Sequence, residues 1–248
     1  MEPIGNREGR TAVILGVGPL EGVGGYLCIN AAEQGLHVVV AGRTLGKLER
    51  VAEFIRLKGG EATAIVCDAT SESDVCQLIK ASNEIGAIDL AIYNAGNNFN
   101  GDFLTMEADF FEKCWRVCTF GGFLFSREVL KVMKPNGTGT FIFTGASASM
   151  RGKPFFAPFT AAKAGLRAMA QSLAREFQPQ GIHVAHVVID GGIAGDKIIK
   201  GLPKFAKMAG EDGLVGLQGI ADAYMYLYKQ AKTAWTHELD LRTYKENF

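Results

Sequence analysis

Short apolar segments alternate with longer segments of helical periodicity along the chain. The short segments are rich in valine and isoleucine, which favour strands. We predict strands at 11–15, 37–41, 63–67, 88–93, 140–144, 183–189 and 235–241. The longer segments place apolar residues on one face of a helix. We predict helices at 22–34, 45–58, 72–84, 106–133, 155–177 and 217–230. Residues 193–215 follow no regular pattern and are rich in glycine and lysine.

This order of elements predicts an α/β protein with a single Rossmann-type, doubly wound parallel sheet of about seven strands and helices on both faces. The predicted strands are continuously apolar rather than alternating, as expected for a sheet that is covered on both sides. No internal repeat, low-complexity tract or linker interrupts the pattern. We therefore expect residues 1–248 to form one domain.

Composition and charge narrow the function classes. Lysine plus arginine and aspartate plus glutamate both total 26, so the chain lacks the basic excess of most nucleic-acid-binding proteins. We expect no nucleic-acid partner. No apolar run reaches the roughly 18 residues that a membrane span requires, and residues 1–10 are too polar for a secretory signal. These features predict a soluble, cytoplasmic protein that has no membrane partner.

The five cysteines agree with a reducing compartment, because their number is odd and they include no Cys-x-x-Cys pair. Cys114 and Cys118 are four residues apart on a predicted helix, a spacing that would suit a metal ion. The sequence around them offers no histidine or carboxylate cluster to complete such a site. We therefore predict no metal site and interpret the cysteines as buried, inert thiols.

The strongest functional signal is a glycine-rich turn between the first predicted strand and the first predicted helix. Gly16, Gly18, Gly22 and Gly24 lie in this turn. Glycines at a strand-to-helix turn let backbone N–H groups approach a pyrophosphate at the helix N-terminus. The strand before the turn and the helix after it supply the context that such a motif needs. The turn therefore indicates dinucleotide binding.

The same turn begins a resemblance to the short-chain dehydrogenase/reductase family, which extends over about residues 10–242. Gly18, Gly22 and Gly24 match the family's Gly-x3-Gly-x-Gly pattern, and Gly16 and Val17 resemble a two-residue extension of the loop. Further segments resemble the family's Asn-Asn-Ala-Gly, Tyr-x3-Lys and Pro-Gly motifs. In this chain they read Tyr93-Asn94-Ala95-Gly96, Phe159-x3-Lys163 and Asp190-Gly191.

The resemblance implies a nicotinamide dinucleotide cofactor and places its contacts along the chain. Asp68, after the third strand, corresponds to the residue that contacts adenine in the family. Together with the glycine turn and the other motifs, the implied cofactor-binding residues are Gly16, Gly18, Gly22, Val23, Gly24, Arg43, Asp68, Asn94, Gly96, Lys163, Gly191 and Ile193.

The end of the second predicted strand bears on the choice of nicotinamide cofactor. An acidic residue there binds the ribose 2′-hydroxyl of NAD, whereas an arginine suits the 2′-phosphate of NADP. The chain reads Ala41-Gly42-Arg43, and Arg43 can pair with a phosphate in bidentate fashion. Glu21 in the glycine turn argues the other way, because a basic residue there would assist NADP binding. We favour NADP over NAD, with a solvated surface role for Arg43 as the alternative.

The catalytic residues that the resemblance implies are mostly replaced. The family uses a tyrosine as proton donor, a serine that polarises the carbonyl, a lysine and an asparagine. Here only Lys163 is intact, while Phe159, Ala146 and Cys118 stand at the other positions. Ser147 is the neighbour of Ala146 and can polarise a carbonyl if the loop shifts by one residue. We therefore name Lys163 and Ser147 as the candidate catalytic residues.

Two functions follow from this altered site. The first is hydride transfer between a nicotinamide and a carbonyl or alcohol substrate, with a degenerate catalytic tetrad. The second is a dinucleotide-binding pseudoenzyme that acts as a sensor or as a scaffold subunit. We favour the oxidoreductase, since a pure scaffold would not require Lys163.

The segments after the predicted strands suggest what would surround a substrate. They are rich in phenylalanine, so we predict an apolar or aromatic small-molecule substrate, although these rings can equally pack a core or an interface. We predict a mobile lid at about 193–216, where several glycines occur. The resemblance also implies a homodimer or homotetramer formed through helices 106–133 and 155–177.

Overall fold

Residues 9–246 are described by a computed structural model of the chain. Almost all of the segment 1–10, for which we predict no secretory signal, lies outside the described residues. The strands are β1 Arg10–Leu15, β2 His37–Gly42, β3 Ala62–Val66, β4 Ala87–Tyr93, β5 Thr140–Thr144, β6 His183–Asp190 and β7 Glu238–Arg242. The helices are α1 Val23–Ala32, α2 Leu45–Leu57, α3 Glu72–Ile85, α4 Ala108–Trp115, α5 Gly121–Met133, α6 Ala157–Phe177, α7 Asp196–Ile199, α8 Pro203–Ala209 and α9 Leu217–Tyr228.

The seven strands form one parallel sheet in the order β3-β2-β1-β4-β5-β6-β7. The order reverses between β1 and β4. In open α/β sheets, the crevice at such a reversal, outside the carboxyl ends of the strands, is where ligands bind. The predicted Rossmann-type fold is confirmed.

Two apolar cores cover the two faces of the sheet. Along β1, Ala12 and Ile14 point into the core that is shared with α1, α2 and α9. Val13 and Leu15 point into the core that is shared with α3, α5 and α6. Because successive strand residues face opposite sides, a strand that is buried on both sides must be apolar at every position. This requirement explains the continuous apolar runs in the sequence.

The predicted helix 106–133 is interrupted, which is a correction to the sequence pattern. Between α4 and α5, residues Arg116–Phe120 form a π-helical turn in which the N–H of Gly121 donates to the carbonyl of Arg116, five residues back. The buried hydroxyl of Tyr93 on β4 donates to the carbonyl of Val117 over 2.5 Å. This tertiary contact satisfies a carbonyl within the turn, and no periodicity in the local sequence reports it.

Other element ends also differ from the sequence prediction. The helix that we predict from residue 155 begins at Ala157, because Phe155 has a φ of +69° and cannot belong to a right-handed helix. The last strand begins at Glu238 rather than at residue 235, because the backbone N–H of Thr236 donates to the side-chain oxygen of Gln230 over 2.8 Å and not to β6. The irregular segment 193–215 contains the short helices α7 and α8.

Candidate active site

The glycine turn begins with a close contact between two chain segments. Gly16 has a φ of +104°, and a Cβ at this residue would stand 2.2 Å from the backbone nitrogen of Ala95. Asn94 fixes the same contact, because its side-chain amide donates to the carbonyl of Gly16 over 2.9 Å and its N–H donates to the carbonyl of Leu15 over 2.8 Å. The structure thus brings together two motifs that lie far apart in the sequence.

The turn ends at the N-terminus of α1, which offers free backbone donors. Gly22 is the N-cap and no side chain caps the helix. Among the described residues, the N–H groups of Val23, Gly24 and Gly25 donate to no acceptor. A Cβ at Gly24 would stand 2.8 Å from the Cα of Val17, so the turn needs glycine there. Three unpaired donors and the positive end of the helix dipole favour an anion.

The segment 193–196 lies against this turn. The N–H of Asp196 donates to the carbonyl of Glu21 over 2.8 Å, and Ile193 forms a parallel bridge with Val215. Gly191, just before this segment, has a φ of +126°. The predicted lid therefore begins in contact with the glycine turn.

Arg43 and Asp68 follow β2 and β3 at the same edge of the sheet. Arg43 is exposed and makes no hydrogen bond or ion pair with another described residue. One carboxylate oxygen of Asp68 accepts hydrogen bonds from the N–H and the hydroxyl of Thr70, both over 2.8 Å, so a local turn holds this side chain. Arg43 is thus free to meet a ligand, whereas Asp68 is partly engaged.

Lys163 on α6 is buried at the carboxyl ends of β4 and β5. Its ammonium group donates to the carbonyl of Thr144 over 2.7 Å. It also lies 3.3 Å from the point that a Cβ of Gly96 would occupy, so glycine leaves room for it. Burial lowers the pKa of Lys163, and electrostatic interaction with the sulfurs of Cys118 and Cys114 offsets part of this effect.

Phe159 lies one helical turn before Lys163, at the position that the family gives to tyrosine. The Lys163 nitrogen is 5.9 Å from the centre of the Phe159 ring. The ring packs on a small buried cluster of Cys114, Cys118 and Ala162. Phe159 thus occupies a site next to the ammonium group but brings no proton to it.

The two thiols of this cluster contact Asn97, a residue that our sequence analysis does not single out. The Cys118 sulfur lies 3.7 Å from both the backbone and the side-chain oxygen of Asn97, and the Cys114 sulfur lies 3.9 Å from the backbone oxygen. A hydrogen bond from Cys114 and the charge of Lys163 lower the pKa of Cys118. The available signal for Asn97 was its position directly after the Asn94–Gly96 motif.

The hydroxyl groups near the site differ in their availability. Ser147 is half-buried and its hydroxyl makes no hydrogen bond with a described residue, whereas the Ser149 hydroxyl donates to the carbonyl of Ala146 over 2.7 Å. The Tyr93 hydroxyl is engaged in the π-helical turn. The Thr160 hydroxyl is buried and has no hydrogen-bond partner among the described residues, and it lies 3.8 Å from the point that a Cβ of Gly152 would occupy. Of these groups, Ser147 has a hydroxyl that is both free and accessible.

An ion pair joins the loop after β5 to the end of β6, next to the site. The sequence pattern did not predict it. The Arg151 guanidinium, on the loop after β5, donates to the carboxylate of Asp190 at the end of β6 over 2.7 Å. Asp190 is 1% exposed, and its other carboxylate oxygen has no partner among the described residues. The sequence marked Asp190 only as a departure from Pro-Gly.

Large apolar side chains stand exposed around the crevice. They lie on the loops after β4 and β5 and on the segment that contains α7 and α8. The most exposed of them are Phe103, Leu104, Met150, Phe155, Ile199, Leu202, Phe205 and Met208. None of these eight side chains belongs to the two main cores. Phe99, on the loop after β4, instead packs against Phe110 with ring centroids 5.2 Å apart and a tilt of 33°.

No group of three or more histidine, cysteine, aspartate or glutamate residues in 9–246 is arranged to hold a metal ion. Within the same residues, none of the helices combines the length and the apolar character that crossing a membrane requires.

Comparisons with known proteins agree on one family. The family model described as short chain dehydrogenase matches residues 10–196. Glucose 1-dehydrogenase of Gluconobacter oxydans (strain 621H) is 30% identical over 183 residues, which cover 73% of this chain and 68% of that relative.

Solved structures support the same assignment. The crystal structure of a short-chain dehydrogenase from Rhodopseudomonas palustris is 34% identical, has a TM-score of 0.82, and covers 96% of this chain and 100% of that chain. A 7α-hydroxysteroid dehydrogenase in complex with NADH and 7-oxo-glycochenodeoxycholic acid is 25% identical, with a TM-score of 0.85 and coverage of 94% and 93%.

Proposed function

The chain belongs to the short-chain dehydrogenase family, and we propose that it is an NADP(H)-dependent oxidoreductase that interconverts a carbonyl group and an alcohol on a small-molecule substrate. A nicotinamide dinucleotide supplies or accepts the hydride when it is bound. The residues of this chain would bind that cofactor, orient the substrate and handle the proton.

One observation carries the proposal. The N–H groups of Val23, Gly24 and Gly25 are unpaired, and they lie at the carboxyl edge of the sheet, next to the reversal of strand order between β1 and β4. A pyrophosphate there would receive several backbone hydrogen bonds. Asn94 and Gly16 would hold the turn, and Lys163 would bind the nicotinamide ribose. The bound NADH of the 7α-hydroxysteroid dehydrogenase structure supports a nicotinamide cofactor but not the choice between NAD and NADP.

The preference for NADP rests on Arg43. No acidic residue follows β2 to receive a ribose 2′-hydroxyl, and the guanidinium is exposed and unpaired. A 2′-phosphate would form a charge-assisted pair with it. Gly191 and Ile193, with the lid at 193–216, would cover the nicotinamide end.

At the substrate, Ser147 would stabilise the negative oxygen and Lys163 would supply the proton. Carbonyl reduction creates a negative oxygen that needs a hydrogen-bond donor and then a proton. The free Ser147 hydroxyl would donate to that oxygen. The Lys163 ammonium would supply the proton directly or through a water molecule, since its lowered pKa makes it a better acid than an exposed lysine.

A second function is favoured by the absence of a hydroxyl at residue 159. Phe159 next to Lys163, together with Cys118 at the asparagine position, would leave a protein that binds the dinucleotide but turns over slowly or not at all. In that case the chain would act as a sensor or scaffold subunit.

Calorimetric titration of the purified protein with NADPH and with NADH distinguishes these cases. We expect a Kd on the order of micromolar for NADPH and weaker binding of NADH. If NADPH binds, consumption of NADPH with a panel of apolar and aromatic ketones and aldehydes tests the reductase. Binding without turnover would favour the sensor, and binding of neither nucleotide would overturn both proposals.

Further features stay predictions. The exposed apolar side chains around the crevice favour an apolar or aromatic substrate. A homodimer or homotetramer through α4–α5 and α6, and a cytoplasmic location, are expected from the family and the composition. Light scattering of the purified protein tests the oligomeric state.

A further inference from the structure

Arg151 and Asp190 form an ion pair between two chain segments at the carboxyl edge of the sheet. The Nη2 atom of Arg151 donates to a carboxylate oxygen of Asp190 over 2.7 Å. Arg151 lies on the loop after β5, and Asp190 is the last residue of β6. Because β5 and β6 are neighbours in the parallel sheet, the pair lies at the edge where ligands bind in open α/β sheets.

The two members of the pair differ in exposure. The side chain of Asp190 is 1% exposed, whereas that of Arg151 is 36% exposed. The second carboxylate oxygen of Asp190 is buried and has no hydrogen-bond partner within residues 9–246. The carboxylate is thus an interior anchor, and part of the guanidinium group is accessible to a ligand.

Stability alone does not account for this carboxylate. The cost of taking two charges out of water often exceeds what their attraction returns, so a buried ion pair is weak evidence for stabilisation. One oxygen of Asp190 lacks a partner, which adds to that cost. The segment Asp190-Gly191 resembles a Pro-Gly motif whose first residue has no charge, so the fold does not require a carboxylate there. Holding Arg151 in one position is the role that the geometry of the pair supports.

A second arginine, Arg242 on β7, also approaches Asp190. Its Nη1 atom lies 3.7 Å from the Asp190 oxygen that accepts from Arg151, and its Nη2 atom contacts the carboxylate of Asp240. Two guanidinium groups therefore flank one buried carboxylate, and Asp240 compensates the charge of Arg242. Of the two arginines, Arg151 is the one that lies on the same loop as Ser147.

Arg151 lies one turn of the chain after Ser147, the proposed donor to the substrate oxygen. The N–H of Arg151 donates to the carbonyl of Ser147 over 3.0 Å, so this part of the loop is compact. The exposed apolar side chains of Met150 and Phe155 belong to the same loop. One small molecule can therefore place a carbonyl at Ser147, an anionic group at Arg151 and an apolar body against these side chains.

We propose that Arg151 is a specificity-determining residue that binds a carboxylate of the substrate, and that Asp190 is the residue that positions it. This proposal rests on the proposed oxidoreductase function and names its substrate class, which is oxo acids and hydroxy acids with an apolar body. A guanidinium group binds a carboxylate through two parallel N–H donors. A carboxylate fits better than a phosphate, which carries more than one charge, because Asp190 already neutralises part of the charge of Arg151.

The test compares oxo acids with their neutral amides. Phenylpyruvate and 4-oxo-4-phenylbutanoate each have a primary amide of nearly the same shape. Calorimetric titration of the protein–NADP⁺ complex measures binding without turnover, because the oxidised cofactor has no hydride to give to a ketone. We expect at least one acid to bind about tenfold or more tightly than its amide, since hydrogen bonds to charged groups are the stronger ones. Equal affinities within both pairs, or no detectable binding of either acid, would overturn the proposal.

Variants of Arg151 assign the preference for acids to this side chain. Arg151→Met should remove the preference and leave the affinity for the amides unchanged, since an amide forms no ion pair. Arg151→Lys should restore part of the preference, because an ammonium group keeps the charge but lacks the planar pair of donors. Lys153→Met removes an exposed lysine of the same loop and is the control. A preference for acids that survives in a folded Arg151→Met variant would contradict the assignment.

Asp190→Asn tests the positioning role, because it keeps the shape of the side chain and removes the charge that holds Arg151. We expect the affinity for the acids to fall severalfold while the affinity for the amides is unchanged. An equal loss for acids and amides would show a merely structural role, and if this variant does not fold, the Arg151 variants still decide the binding role. Acid-selective binding without NADPH consumption would overturn the oxidoreductase and leave the carboxylate site in place. Turnover of acids and amides with equal KM would overturn the carboxylate site and leave the oxidoreductase in place.

Discussion

The ammonium group of Lys163 donates a hydrogen bond to the carbonyl oxygen of Thr144 over 2.7 Å. This contact ties the first half of α6 to the last residue of β5, at the edge of the sheet where ligands bind. It holds a buried cation in one position, since a buried charge needs such a partner.

Replacement of Lys163 tests whether this cation binds the cofactor. Lys163→Met should weaken NADPH binding about tenfold or more, because hydrogen bonds to charged groups contribute roughly 1.5–3 kcal/mol. Calorimetry measures the affinity, and urea unfolding checks that the variant is folded. Lys80→Met is the matched control. Equal affinity in the wild-type protein and a folded Lys163→Met variant would remove Lys163 from the cofactor site.

Arg43 tests the choice of cofactor. Arg43→Ala should reduce the affinity for NADPH about tenfold or more and leave the affinity for NADH unchanged, because only NADPH carries the 2′-phosphate. Arg50→Ala removes a nearby exposed arginine of α2 and is the control. A preference for NADPH that survives in Arg43→Ala would contradict the assignment.

Gly16 tests the contact between the glycine turn and the Asn94 segment. Gly16→Ala should lower the free energy of unfolding by about 3 kcal/mol or more, because a Cβ would clash with Ala95 and the φ of +104° strains any L side chain. Gly18→Ala is the control, since a Cβ at Gly18 meets open space, and we expect a change within about 0.5 kcal/mol. Urea unfolding of both variants measures the difference, and similar stabilities would mean that the Gly16 contact relaxes easily.

The buried imidazole of His186 should make the free energy of unfolding depend on pH. It is fully buried, burial lowers its pKa from 6.5 to about 4, and its Nδ1 atom lies 3.0 Å from Glu238. The positive charges of Lys163 and Arg167 also disfavour its protonation. Below pH 6.5 the unfolded chain binds a proton that the folded chain resists. The free energy of unfolding should therefore fall as the pH drops from about 6.5 to about 4, by up to about 3 kcal/mol from this group.

The variant His186→Phe isolates this contribution. It keeps a planar ring near Gly145 and removes the titrating group, so the fall in stability between pH 6.5 and pH 4 should become smaller. His183 also has a pKa that burial lowers, and it contributes equally in both proteins. His37→Phe is the control, because His37 is only partly buried. If wild type and His186→Phe lose stability in parallel, His186 is not the cause.

Phe159 tests whether the missing proton donor limits turnover. Phe159→Tyr should raise the reduction of simple ketones on the order of 10²-fold, since a positioned general acid contributes about that much or more. Phe156→Tyr, at the N-cap of α6, adds the same hydroxyl elsewhere and should have no such effect. NADPH oxidation measures both variants. No gain in Phe159→Tyr would indicate that Ala146 and Cys118 matter more than the phenylalanine.

Part of the site could be predicted from the sequence because its signals are local. The glycine turn, the apolar strands around it and Lys163 four residues after Phe159 are each visible within a short window. Their physical causes, close backbone approach and burial of both sheet faces, act on consecutive residues. The family resemblance and the doubly wound fold follow from these segments taken in order.

Other features escaped the sequence because they depend on residues that are far apart in the chain. In the π-helical turn, the carbonyl of Val117 accepts a hydrogen bond from the hydroxyl of Tyr93 on β4. The Arg151–Asp190 ion pair joins the loop after β5 to the end of β6. Asn97 reaches Cys114 and Cys118 only because its loop folds over α4.

The sequence by itself determined that this chain forms a parallel α/β sheet with a glycine-rich turn at its first strand, because hydrophobic periodicity and glycine placement are properties of local segments. Only the tertiary structure decided that Phe159 packs on the buried thiols of Cys114 and Cys118, that Ser147 is free while Ser149 is not, and that Arg43 is unpaired. Contacts between distant segments set burial and hydrogen-bond partners, and these in turn set the charge and availability of each group.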